Sequence, residues 1–338
     1  MAGPHRLGGV SLIELMIGIA IGMLVVVGAL SMYLSTSRTY RTTESVSRVQ
    51  ENARIAFELM AADIREAGFT PCGTNVEVAS SLNAPFNTVG STINGLTGFD
   101  ENVAATGVAI GTNRGNRAAN TDAIVVGASQ GTGLTVETHN EPSATFTVNI
   151  VNHGIQNDDI VMVCDNELAT IFQATNTNQS NRTIVHNQGN SNPGNARKCL
   201  GNDANCGLPS QQWKSYARNG TITRFESGVW YVGCARNTDC NQPGGRSLFR
   251  IANHIRATPA EEMVTDVDNM QVLYLRRGQA NYVAASAITA AQWADVTAAR
   301  ITLTLTSPEA NVTTNQGVNQ GRLTRTVTHT VTLRNRVP

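Results

Sequence analysis

The sequence predicts an α+β protein, with a long N-terminal helix of transmembrane length followed by a β-rich globular head with antiparallel sheet. Three observations predict it. Residues 10–34, VSLIELMIGIAIGMLVVVGALSMYL, form a 25-residue apolar run with one carboxylate, Glu14. No proline interrupts residues 10–70. Past that point, short β-branched runs punctuated by Gly, Asn, Asp and Ser replace the helical pattern.

As a helix the apolar run would be about 37 Å long, enough to cross a hydrocarbon core of about 30 Å. A carboxylate in lipid costs on the order of 2.5 to 3.5 kcal/mol, so Glu14 needs a partner. A cleaved secretory signal would account for the small residues Val27, Gly28 and Ala29 as an exit, but its apolar core is about 7 to 15 residues and uncharged. A plain single-span anchor explains the length and leaves Glu14 without a role. Gly18 and Gly22 share one face and could let a second helix approach closely; small residues are also simply common in membrane helices.

Residues 35–67 continue the helix as an amphipathic half. Val46, Val49, Ala53, Ala56, Phe57, Met60, Ala61 and Ile64 recur at three- and four-residue steps, and the charged residues fall mostly elsewhere. Gly68 supplies a stop, with Pro71 just beyond. One helix over residues 10–67 would be about 87 Å long. The apolar face covers too few repeats to argue for a heptad coiled coil.

The 338-residue chain has 25 Lys+Arg and 25 Asp+Glu. That neutrality gives no basic footprint, and no direct nucleic-acid binding is expected. Six cysteines form an even set behind an export-type segment, which reads as disulfides of an oxidising compartment. Six cysteines allow about 15 pairings, and sequence alone does not choose among them; local spacing favours Cys199 with Cys206 and Cys234 with Cys240, which leaves Cys72 with Cys164. Metal ligation by these cysteines is not expected: there is no CxxC, and His5, His139, His153, His186, His254 and His329 are scattered.

The head, residues 68–338, begins with a loop-rich stretch to residue 120. Strands are expected over residues 123–126, 144–148, 160–163 and 169–172, then over 221–225, 229–232, 247–251 and 267–275. Between them, residues 174–208 are polar and read as an exposed insertion. Residues 300–306 and the second half of 323–333 alternate apolar with polar and predict a terminal hairpin, with His329 on its apolar face.

Residues 1–9, MAGPHRLGG, form a polar leader ending in Gly8-Gly9, followed at once by Val10-Ser11-Leu12-Ile13-Glu14-Leu15. This resembles the class III signal of type IV prepilins and pseudopilins, with Val10 where the family usually has phenylalanine. The resemblance implies that a prepilin peptidase cuts between Gly9 and Val10 and that the new amine of Val10 is N-methylated. It also implies that Glu14, fifth in the mature chain, meets the N-terminus of a neighbouring subunit during assembly. Such charges about 4 Å apart attract by about 4 kcal/mol at an effective dielectric of about 20.

Further pieces resemble the PilW family of type IV pilus minor pilins: residues 64–69 with Cys72, 157–165 leading to 169–173, 245–250, 268–274, and 293–296 before the Arg300 strand. This implies a tip or initiation subunit in pilus assembly, serving adhesion, twitching motility or DNA uptake. It would be stored as a single-pass inner-membrane protein with a periplasmic head and later carried on the surface pilus. The implied partners are other minor pilins, the major pilin, the prepilin peptidase and the inner-membrane assembly platform. The alternatives are a minor pseudopilin of type II secretion, an anchored adhesin module using residues 174–208, and an exported enzyme on a single anchor.

No nucleophile elbow, phosphate loop, dinucleotide fingerprint or zincin helix occurs in the sequence. Neither an enzymatic role nor a cofactor is therefore expected. Asp158-Asp159 and Asp266-x-Asp268 are acidic pairs without an EF-hand loop, read as solvent-facing or turn-capping residues.

Overall fold

The computed structural model describes residues 11–73, 76–86, 95–189, 192–218, 220–236, 240–253, 255–256, 258–313 and 319–337. Helix α1 (Leu12–Glu66) is continuous over 55 residues. Gly68 follows it at φ +73°, the left-handed conformation that ends helices, and its N–H donates to the Gly127 carbonyl at 2.8 Å. A side chain at Gly95 would run into the backbone of Gly68, so two glycines let the chain cross closely here.

The chain divides into two compact units. One comprises the helix up to Arg48 together with residues 307–323. Within it, Thr42 Oγ1 donates to the Val312 carbonyl at 3.2 Å. The loop closes on itself: Ser307 N–H donates to Leu323 O at 2.7 Å, and the Arg322 guanidinium donates to the carbonyls of Ser307 and Pro308.

The other unit comprises residues 49–306 and 324–338. Its strands are β1 (Glu77–Ser80), β2 (Leu96–Phe99), β3 (Ala123–Asn140), β4 (Thr145–Val148), β5 (Ile160–Cys164), β6 (Leu168–Gln173), β7 (Asn176–Asn178) and β8 (Thr183–Val185). They continue with β9 (Thr221–Cys234), β10 (Arg246–Ile251), β11 (Ala260–Thr265), β12 (Val267–Arg276), β13 (Val296–Thr306) and β14 (Thr324–Thr332). The larger sheet runs β1-β6-β5-β9-β3-β4-β8-β7, with β2 on β3 and the β10-β11 pair on β9; the smaller runs β12-β13-β14. The α+β class with antiparallel sheet holds, apart from a parallel β1·β6 pair whose long crossover allows that direction.

The helix segment from Val49 onward buries the stripe that the sequence marks. Val49, Ala53, Ala56, Phe57, Met60 and Ile64 join Met270, Val272, Ile301, Leu303, Leu305 and Trp230 in one core. The terminal hairpin forms, with Ile301 opposite His329 and Leu303 opposite Val327. His329 lies at the edge of the helix-facing side, its ring 4.3 Å from that of Phe57.

Three expectations need correction, and one strand has to be added. Residues 174–208 are not simply an exposed loop: they supply β7 and β8, and Ile184, His186, Asn195 and Leu200 are buried. The stretch buries its backbone by using polar side chains as surrogate strands. Gln173 N–H donates to Asn195 Oδ1 at 2.7 Å, and Asn195 Nδ2 donates back to the Gln173 carbonyl at 2.8 Å. The strand expected over 123–126 runs to Asn140, because a register shift between Gln130 and Leu134 absorbs the glycine-rich interruption. The two strands expected over 221–225 and 229–232 are one, β9, since Glu226, Ser227 and Gly228 stay paired to β3. Finally, β11 had no expectation at all: Glu261 and Glu262 conceal it, although they pair with Arg250 and Phe249 of β10.

Candidate functional site: the uncovered row of helix α1

Helix α1 starts with a capping box. Ser11 Oγ accepts the Ile13 N–H at 3.2 Å, and Glu14 Oε2 accepts the Ser11 N–H at 3.0 Å. Glu14 therefore has a role within its own chain, and the Ser11-x-x-Glu14 spacing is the signal by which sequence reasoning should have found it. Four and eight residues on stand Gly18 and Gly22, so the carboxylate heads an i, i+4, i+8 row. A methyl group added at either glycine would meet nothing within 4 Å.

Among the described residues nothing covers the apolar side chains around that row. Leu12 is 77% exposed, Leu24 74% and Met32 75%. The most apolar 18-residue window has a mean hydropathy of 2.5 with none of it buried, so the helix is long and apolar enough to cross a membrane. Gly9 and Val10, the expected cut and methylation positions, lie outside the described residues.

The head carries three disulfides. Cys72 joins Cys164, Cys199 joins Cys206 and Cys234 joins Cys240, with Cα–Cα distances of 5.9, 5.5 and 4.7 Å. Asp63, on the core half of α1, accepts Trp230 Nε1–H and Arg250 Nε–H, each at 2.8 Å. Arg250 also sits 5.6 Å from the Trp230 ring.

Sequence reasoning missed two buried clusters. Arg117 is fully buried in a cage of carbonyls, donating to Thr121 at 2.9 Å, Val103 at 2.8 Å and Phe99 at 3.2 Å. Burial pushes its pKa down while Asp122 and Asp100 oppose that shift. Asp122 accepts the N–H groups of Glu101 at 2.8 Å and Val272 at 2.7 Å; burial nevertheless raises its pKa. In a glycine-rich loop sequence an arginine reads as solvated, so no pattern marks it.

The second cluster corrects the description of the histidines as scattered. His139 and His186, 47 residues apart, meet Nε2 to Nε2 at 3.1 Å, and His139 stacks on Phe146 with ring centroids 4.1 Å apart. Burial brings His139 down to about 4 against the pull of Glu141, and brings His186 down to about 3 with His139 adding to the shift. Both are neutral near pH 7. Among the described residues no group of three or more His, Cys, Asp or Glu could hold a metal ion.

The acidic pairs are structural in their contacts. Asp159 accepts the Gln156 N–H at 2.8 Å and faces Arg224 and Arg256, each at 3.3 Å. Asp158 sits at φ +68° and Asp266 at φ +61°, while Asp268 accepts the Thr306 hydroxyl. Buried Asp165, paired with half-buried Lys214 at 2.7 Å, has a lowered pKa: burial pushes it up, but Lys214 and the N–H groups of Leu168 and Glu167 outweigh that.

No family model matches the chain, and no curated protein or solved structure matches it either.

Proposed function

We propose that the chain is a minor pilin of a type IV pilus, PilW-like, acting at the tip or in the initiation of assembly. One observation carries the reading: an apolar run, headed by a carboxylate and two open glycines in a single row, is left uncovered from Leu12 to Leu34, at the start of the helix whose other half builds the core of the head. A soluble protein seldom exposes a contiguous apolar surface of that extent, so the run takes its partners from outside the chain. Before assembly the partner is lipid, which suits the length; in the filament it is the helices of neighbouring subunits. Glu14 selects register, because a buried carboxylate is tolerated only where a cation meets it. The cation is the N-terminal amine of a neighbour, exposed by the cut after Gly9.

The capping box refines the mechanism. In the isolated chain the carboxylate is occupied by the Ser11 N–H, so assembly has to share or exchange that bond. Glu14→Ala is expected to be processed after Gly9 yet to be lost from filaments, with pilus number falling at least tenfold by immunogold counting. Normal filaments from this variant would contradict the mechanism.

A further inference from the structure

The unit formed by residues 49–306 and 324–338 contains a cleft of about 950 Å³ that none of the residues of the apolar run lines. It lies between the chain leaving α1 at Gly68, the end of β12 and the C-terminal segment. Among the described residues four arginines line it, Arg276, Arg277, Arg334 and Arg336, against one carboxylate, Glu77. Guanidinium groups gathered this way raise the local positive potential, and a concave wall of low dielectric focuses it.

The four have different duties. Arg336 holds the fold: its Nη1 donates to the carbonyls of Trp293 at 2.6 Å and Val296 at 3.0 Å. Burial, and then the neighbouring charge of Arg277, push its pKa down to about 10, with Asp295 opposing. The other three have spare capacity. Arg276 Nε is buried with no hydrogen-bond partner, Arg277 makes one long bond of 3.4 Å to the Arg336 carbonyl, and Arg334 is exposed. None of these three forms an ion pair among the described residues. Glu77, for its part, accepts Asn202 Nδ2 at 3.2 Å.

Buried guanidinium donors are costly when unmet, and their planar fork matches oxyanions two bonds at a time. The volume falls in the range of small-molecule sites, about 300 to 1,000 Å³. Phe69, 40% exposed, and Val78 give the wall an apolar side. We propose that this cleft binds a small polyanion, a ligand with two or more closely spaced phosphate, sulfate or carboxylate groups on a body that lies against Phe69. Arg276, Arg277 and Arg334 are the contacts, and Arg336 holds the wall on which they stand. This assignment does not depend on the filament reading.

The test is titration calorimetry on the full chain in a non-ionic detergent at low salt. Myo-inositol hexakisphosphate probes a phosphorylated source, sucrose octasulfate a sulfated-sugar source, and inorganic phosphate the requirement for several charges. One of the two polyanions is expected to bind at one site per chain, at least tenfold tighter than inorganic phosphate. Arg277→Gln/Arg334→Gln, at exposed positions that leave the fold alone, should weaken it at least tenfold, and Arg276→Gln should do the same. Arg41→Gln/Arg325→Gln, outside the cleft, should leave it unchanged. Absence of binding by both polyanions at millimolar concentration would overturn the assignment. So would undiminished affinity in Arg277→Gln/Arg334→Gln, or an equal loss in the Arg41→Gln/Arg325→Gln control, which would mean diffuse attraction.

Discussion

The two halves of helix α1 share one continuous backbone, yet they live in opposite environments. From Val49 to Ile64 the apolar residues form a stripe, and Ala56, Met60 and Ile64 are completely buried against the head. From Leu12 to Leu34 apolar residues surround the helix on every side and are more than half exposed. A stripe needs one partner surface, and the chain supplies it; an apolar cylinder needs partners all round, and no single small head can provide them. How much apolar side chain a segment carries, and how it is distributed around the helix, decide whether the segment is satisfied within its own chain.

The largest expected break in this comparison is Ile64→Ala, which opens a cavity in the core half. Denaturant unfolding of the full chain in detergent should show a loss of about 2 to 5 kcal/mol. The same truncation in the other half, Leu24→Ala, should change head stability by less than about 0.5 kcal/mol. Equal effects would erase the distinction between the halves.

Next comes the staple beyond the end of the helix. The Cys72–Cys164 bridge spans 92 residues, against 7 and 6 for the other two. Closing a long loop restricts the unfolded chain most, so Cys72→Ser/Cys164→Ser should cost about 2 to 5 kcal/mol and exceed the paired serine variant of either short bridge. Thermal unfolding of the three variants gives the order.

Asp63→Ala is a smaller perturbation. It leaves Trp230 Nε1–H and Arg250 without their shared acceptor, at a site where both charged side chains are 25% exposed. A loss of about 1 to 3 kcal/mol is expected by denaturant titration, at the lower end because water reaches the pair.

The smallest effect is a pH dependence that belongs to the head alone. His139 and His186 bind protons more weakly folded than unfolded, at about 4 and about 3 against an ordinary 6.5. Their contribution to stability is full above pH 6.5 and is lost as pH falls toward about 3. His139→Leu/His186→Leu should flatten the unfolding midpoint across that window. A wild-type midpoint that does not move between pH 6.5 and 4 would rule out this buried neutral pair.

How much of this was legible in the sequence follows from the range of the interactions involved. Helix α1 was readable to within two residues at its start and one at its end, because the pattern is local and unbroken. The β13–β14 hairpin was readable because period-two alternation survives in both strands. Residues 174–208 misled because composition counts apolar atoms, whereas Asn195 stabilises its surroundings by replacing a strand's hydrogen bonds. Arg117, the His139–His186 pair and the arginines of the cleft depend on residues brought together by topology, and no spacing along the chain encodes that. Ser11 was the exception: its capping box with Glu14 was visible as a four-residue motif and was overshadowed by the charge in the apolar run.

The central claim is that the uncovered half of α1 serves a filament, and intact-mass measurement of the protein isolated from its native cells tests it most directly. The account predicts a chain lacking its first nine residues and carrying one added methyl group, placing Glu14 fifth from a new amine. A mass corresponding to the chain with its leader still attached, on protein recovered from the cell surface, would contradict it.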